Sequence, residues 1–232
     1  MERLDKIVSV AADISRSDAK VFIKKGLVAV NGKTETDPQK RFETSDEITL
    51  KGEKILFQRF IYIMMNKPMG VVSATEDSKD VTAVDLVTDK GKRNLFPAGR
   101  LDKNTTGFLL LTDDGDFAHR ILSPSKHIEK EYEVETDKAI PKETVEGFSK
   151  GVDIGDYICK PAYINITSDK TATVIIKEGK YHQIKRMFEK YGVKVIKLKR
   201  VRMGGLRLDE GLAPGEYRRL SDEEIVEIAQ SN

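Results

Sequence analysis

One carboxylate stands out by its setting. Residues 98–113 read AGRLDKNTTGFLLLTD, so Asp102 closes a Gly-Arg-Leu-Asp turn and a polar loop runs from Lys103 to Thr106. Gly107 then opens the apolar run Phe108 to Leu111, short and continuous enough for a buried strand. That order presents a single acid at the mouth of a rigid sheet, a common way to place one reactive group. The competing reading is that Asp102 only caps its own turn, and turn chemistry alone favours the cap. A second stretch, Glu178 to Phe188, reads EGKYHQIKRMF and sets Lys185 and Arg186 on a segment whose Ile184, Met187 and Phe188 have helical spacing. A third places Lys67 beside the turn that Pro68 and Gly70 force.

Other familiar chemistries lack their residues. There is no Gly-rich loop ending in Gly-Lys-Ser or Gly-Lys-Thr, no dinucleotide fingerprint and no Gly-x-Ser-x-Gly elbow. His119, His127 and His182 are scattered and Cys159 is the one cysteine, so no metal site is expected. His119 and His127 read as structural or solvated. The single cysteine also rules out an internal disulfide and suits a reducing, cytoplasmic setting. No basic segment followed by an apolar one opens the chain, and no apolar run reaches membrane-spanning length.

The elements that must position these residues can be read in order. The 232 residues are enough for one large domain or two smaller ones. The net charge of +2 hides an uneven distribution: Lys180 to Arg207 carries ten Lys or Arg against one acid, Glu189. Such an excess predicts a surface facing a polyanion. Residues 1–57 form a separate small unit. Leu4, Ile7, Val8 and Ala11 have helical spacing, and Ser15 caps a second helix with Asp18 as its acidic partner. Gly26 ends that helix in a left-handed turn, and Asn31-Gly32 predicts a hairpin.

From residue 58 to 232 strands outnumber helices. Ile61 to Met65 predicts a buried strand, Val84 to Val87 a short helical piece, and Phe117 to Leu122 a helix stopped by Ser123-Pro124. Lys130 to Val134 alternates, with Tyr132 and Val134 on one face. A helix over 141–150, strands near 162–166 and 171–177, a helix from His182 and a strand from Val193 to Leu198 follow. Lys194, Lys197 and Lys199 are expected on a wet face of that strand. Residues 206–216 read as a loop, and Ser221 caps a last helix. Without regular strand–helix alternation the class is α+β, with a mixed, mainly antiparallel sheet.

Two resemblances sharpen this. Arg3-Leu-Asp-Lys, Ser15-Arg16-Ser17 and Gly26 to Gly32 resemble the α-L RNA-binding domain of the "S-four" type. That resemblance implies a basic face on its two helices, with Arg3, Arg16, Lys20 and Lys24 at RNA phosphates. Asn66-Lys-Pro-Met-Gly70, Gly99-Arg-Leu-Asp102 with Thr105 to Gly107, Lys130-Glu-Tyr-Glu-Val134 and Gly179 to Met187 together resemble the four motifs of the pseudouridine synthases. Within that family the α-L domain, Tyr-His-Gln-Ile-Lys-Arg-Met and Ala213 to Arg218 are most similar to the enzymes of small-subunit (16S) ribosomal RNA. The resemblance implies Asp102 as the catalytic carboxylate with Lys185 as its ion pair. It also implies Tyr132 stacked on the target base with Ile184 on the other side, Arg100 filling the space of an extruded base, Lys67 at the substrate and Arg186 on RNA. No cofactor is implied, and the partner is ribosomal RNA or an assembling small subunit, met by a monomer. A large-subunit RNA enzyme, a non-catalytic assembly factor and an unrelated hydrolase are the rivals.

Overall fold

The first two helices meet through the apolar positions that their spacing sets on one side. The computed structural model describes residues 1–89, 91, 93–123, 126 and 128–230, so the expected Pro124 stop and His127 lie outside the described residues. The chain divides into two units, Met1–Ile61 with Thr88–Asn94, and Tyr62–Val87 with Leu95–Asn232. In the first, β1 (Glu2–Arg3) leads into α1 (Leu4–Ala11) and α2 (Arg16–Lys24). Then come β2 (Val28–Val30), β3 (Lys33–Thr34), β4 (Arg41–Phe42), β5 (Ile48–Leu50) and β6 (Glu53–Ile55). Strands β3-β2-β5-β6 form an antiparallel sheet, and β1 pairs with β4. Leu4, Ile7 and Val8 pack with Ala19, Ile23, Val28, Val30 and Ile48 into one core.

The local signals act as their chemistry requires. Ser15 Oγ accepts the Asp18 amide at 3.0 Å and donates to the Asp18 carboxylate at 2.6 Å. Gly26 ends α2 at φ +71°, and Asn31 and Gly32 turn the β2–β3 hairpin at φ +50° and +76°. Asp5, only 1% exposed, is bonded by Arg3 at 2.8 Å and Arg16 at 3.1 Å. Burial pushes the Asp5 carboxyl up, but the bonds from Arg3 and Arg16 outweigh it and hold it below the usual range.

The second unit is built on β7 (Tyr62–Lys67), β8 (Phe96–Pro97), β9 (Thr106–Thr112), β10 (Lys130–Thr136), β11 (Tyr163–Ser168) and β12 (Thr171–Ile176), with β13 (Val195–Met203), β14 (Leu206–Arg207) and β15 (Tyr217–Arg219) after them. Its helices are α3 (Gly115–Leu122), α4 (Glu143–Lys150), α5 (Gln183–Glu189) and α6 (Asp222–Ala229). Among the described residues one mixed sheet runs β11-β12-β10-β13-β9-β7-β15, with β14 on β13 and β8 on β9. Its parallel seam is β13 beside β9, and the other pairings are antiparallel. Phe117 and Ile121 of α3 and Ile228 of α6 pack with Met64, Phe108, Leu110 and Met203. Phe148 of α4 meets Phe188 of α5 edge to face, 5.2 Å between centroids. No helix among the described residues is long and apolar enough to cross a membrane.

Three expectations are corrected here. Val84 to Val87 is a turn and not a helix; Asp85 N donates to Thr82 O and Val87 N to Val84 O, each three residues back, and no four-residue helical ladder follows them. The basic strand runs on from Leu198 to Met203, and a short strand, β14, opens the segment expected as loop. Lys194 and Lys197 are exposed as expected and Lys199 is half-buried, but the basic excess over 180–207 is not all wet, for Arg200 is 2% and Arg202 6% exposed. Arg202 donates to Glu131 at 2.8 Å and to Glu129 at 3.1 Å, across the β10–β13 pairing. Burial pushes the Glu131 carboxyl up, yet its bonds from Arg202 and Arg207 hold it below the usual range. The local charge excess is therefore partly neutralised by acids distant in sequence, which reduces the expected polyanion-facing surface.

Candidate active site

The turn that carries Asp102 is pinned from both sides. Gly99 takes φ +90°, a conformation in which a Cβ is strained. Ala98 donates to Leu110 O at 2.8 Å, and Thr105 donates to Asp102 O at 3.0 Å. The segment after the Pro68 turn supplies the rest. Gly70 donates to Lys103 O at 2.9 Å, while Ser73 Oγ both donates to Leu101 O and accepts from Leu101 N, at 2.9 and 3.0 Å. The first and second sequence motifs are thus halves of one hydrogen-bonded structure.

The Asp102 side chain does not cap its own turn. Lys185 Nζ donates to Oδ2 at 2.8 Å, and His182 Nε2 lies 3.6 Å from Oδ1. Asp102 is 27% and Lys185 14% exposed at the side chain, so the pair is shielded but open at one edge. Lys185 Nζ also donates to Asn104 Oδ1, a residue of the polar loop that sequence reading did not single out. Helix α5 carries Lys185, and the turn before it is held by Gln183, whose Oε1 accepts from Lys180 N at 3.0 Å and whose Nε2 donates to Glu178 at 2.9 Å. A carboxylate that accepts from an ammonium on a pinned turn is held in one orientation.

Sheet register builds the floor. Lys67, Gly107, Arg200, Tyr132 and Val174 form one continuous row of paired residues across β7, β9, β13, β10 and β12. Gly107 makes this seam possible: at φ +97°, a Cβ there would lie 2.2 Å from Arg200 O. Arg200 reaches back over it, with Nε donating to Phe108 O at 2.7 Å. Its Nη2 is buried without a hydrogen-bond partner. Tyr132 lies beside Arg200 in this row, 7% exposed. Ile184, 3% exposed, precedes Lys185 on α5. Arg100 is exposed on the turn, two residues before Asp102.

Other expected site residues sit differently. Lys67 is not at a substrate-accessible surface; it is 0% exposed and donates to Val71 O at 2.7 Å and Pro68 O at 2.9 Å. Arg186, expected on RNA, bonds the Ile154 carbonyl at 2.6 Å and the Asp156 carboxylate, bracing the loop before β11. Of the four residues expected at RNA phosphates, Arg3 and Arg16 are ion-paired with Asp5, whereas Lys20 and Lys24 are exposed on α2.

Burial pushes the Lys67 ammonium down to about 8; Asp102 works against this and Lys185 adds to it. An unfolded lysine titrates near 10.5, so between about 8 and 10.5 the unfolded chain binds more protons, and stability from this residue rises with pH. Lys67→Met is expected to remove that rise, worth up to roughly 3 kcal/mol. Urea melts of variant and wild type at pH 7 and pH 10 check this, and the difference cancels the similar contribution of buried Lys130, also near 8. Equal slopes in the two proteins would refute the assignment to Lys67.

A pinned turn holding one carboxylate against a lysine, on a mixed sheet in a chain that also carries a separate two-helix unit, defines a class. A family model described as RNA pseudouridylate synthase matches residues 61–190, and the S4 domain model matches residues 2–48. The chain belongs to the RNA pseudouridylate synthase family and carries an S4 domain, as its motifs and α+β class led one to expect. An RNA pseudouridine synthase of Bacillus subtilis (strain 168), YtzG, described as uncharacterized, is 49% identical over 230 residues, 96% of each chain. The ribosomal small subunit pseudouridine synthase A of Vibrio cholerae is 40% identical, covering 97% of this chain and 99% of its own. A crystal structure of a pseudouridylate synthase matches at 36% identity and a TM-score of 0.69, over 98% of this chain and 100% of that one.

Proposed function

We propose that this enzyme converts a specific uridine of 16S small-subunit ribosomal RNA to pseudouridine in the cytoplasm, with Asp102 as its catalytic carboxylate. The observation that carries the reading is the Asp102–Lys185 pair at 2.8 Å on a turn pinned by Gly70 of the first motif and by Ser73. The names of the small-subunit relatives support the choice of RNA. The reaction is an isomerisation: the N1–C1′ bond breaks, the uracil turns, a C5–C1′ bond forms, and the C5 proton is exchanged for one at N1. No electron or group is consumed. Attack on the base, attack on the ribose and removal of the ribose C2′ proton all call for an anionic Asp102. Tyr132 stacks on the base with Ile184 opposite, and Arg100 fills the space the extruded uridine leaves.

Pseudouridine mapping on small- and large-subunit ribosomal RNA tests the reading. A new site in small-subunit RNA is the expected result. A site confined to large-subunit RNA would overturn the substrate, and no site in either would overturn the activity. For the S4 domain, Lys20 and Lys24 are four apart on the exposed side of α2 and suit neighbouring phosphates. Lys20→Gln with Lys24→Gln should lower the slope of log affinity against log salt by about 2, roughly one unit for each phosphate left without its lysine. An unchanged slope in filter-binding titrations would remove both residues from the interface.

A further inference from the structure

Tyr181 is 75% exposed, yet it is not a loose surface residue. Its ring stacks on His182 with centroids 3.8 Å apart and planes 18° from parallel. Beneath it the backbone is fixed: Gln183 donates to Lys180 O at 3.1 Å, and Arg186 Nη1 donates to Tyr181 O at 3.5 Å. His182 takes φ +50°, a left-handed conformation uncommon for a residue with a Cβ. This backbone holds its ring so that Nε2 lies 3.6 Å from Asp102 Oδ1. Lys180, the adjacent cation, lies over Tyr157 at 4.1 Å.

The result is an aromatic plane on a rigid turn, one stacking step outward from the histidine that faces the carboxylate. Unpaired bases of RNA are recognised by stacking on such planes, and a preordered ring loses little entropy in doing so. We propose that the Tyr181–His182 pair is the platform on which the nucleobase next to the target uridine stacks, so that it sets which RNA context reaches Asp102. This rests on the reading of Asp102 as the catalytic carboxylate of an RNA pseudouridine synthase. While Asp102 and Tyr132 engage the extruded uridine, the platform holds its strand neighbour and positions the backbone between them.

The test uses the full-length enzyme and a ribosomal RNA fragment containing the modified uridine, intact or with an abasic residue on its 5′ or 3′ side. Tyr181→Ala and Tyr181→Leu should raise KM about 10- to 100-fold, the loss of one base–aromatic stack, with little change in kcat. Tyr181→Phe should match wild type. On the fragment lacking the stacked base, wild type and Tyr181→Ala should converge, a readout that a merely structural residue would not move. Tyr181→Leu acting like Tyr181→Phe, or a Tyr181→Ala defect of the same size on both abasic fragments as on the intact one, would overturn the platform. A wild type that converts no uridine would instead overturn the enzymatic reading on which it rests.

Discussion

Asp102→Asn should convert no uridine above background under conditions in which the wild type runs to completion, a loss on the order of 10³-fold or more. The replacement keeps the side-chain volume and leaves Lys185 its bond to Asn104. It removes the negative charge and turns one acceptor oxygen into a donor. Because the Asp102–Lys185 pair is partly open to water, its loss should cost at most about 1 kcal/mol of stability, so the melting curve should barely move. RNA affinity should also survive. Single-turnover conversion at saturating enzyme is the measurement, with thermal melting as control. Conversion at a tenth of the wild-type rate would mean that the carboxylate is not the reacting group, and the resemblance of the motif would then have misled.

Gly107→Ala should do comparable damage by a different route. The position needs φ +97°, and the added Cβ would sit 2.2 Å from Arg200 O and 2.9 Å from Arg200 N, both backbone atoms that cannot swing aside. Left-handed strain and overpacking together predict a loss of about 2–6 kcal/mol, enough to unfold a marginal domain. The parallel seam between β9 and β13 would open first, since Lys199 and Arg200 pair there with Thr106 and Gly107. Gly70→Ala is the control. It too has positive φ, +85°, but its Cβ would meet nothing within 4 Å, so only the backbone strain remains. Urea denaturation of both variants separates the two causes. Equal losses would show that the close approach to Arg200 is not what requires glycine at 107.

What the sequence settled by itself is local. Ser15, Gly26 and Asn31-Gly32 act through bonds and dihedrals within a few residues, so their helix cap, helix end and hairpin were legible before any fold was known. The same holds for Tyr132 and Val134 on one face of β10, and for the Gly-Arg-Leu-Asp turn before an apolar strand. The Asp102–Lys185 pair was legible only through family motifs, because 83 residues separate the two and no spacing rule reaches that far. Asn104 and His182 beside the pair were not singled out, since a polar loop and a helix start give no sign of what they face.

Tertiary structure decided which charges are wet. Arg200 and Arg202 look like the solvent-facing lysines around them, yet register against β10 turns Arg202 onto Glu131 and lays Arg200 over Gly107. Lys67 likewise reads as a cation beside a turn, and only the closure of residues 68–71 around its ammonium shows that it is interior. Periodicity reports which residues share a face. It says nothing of which strand will lie alongside, and in a sheet with one parallel seam that neighbour decides burial, charge and the surroundings of the reactive group.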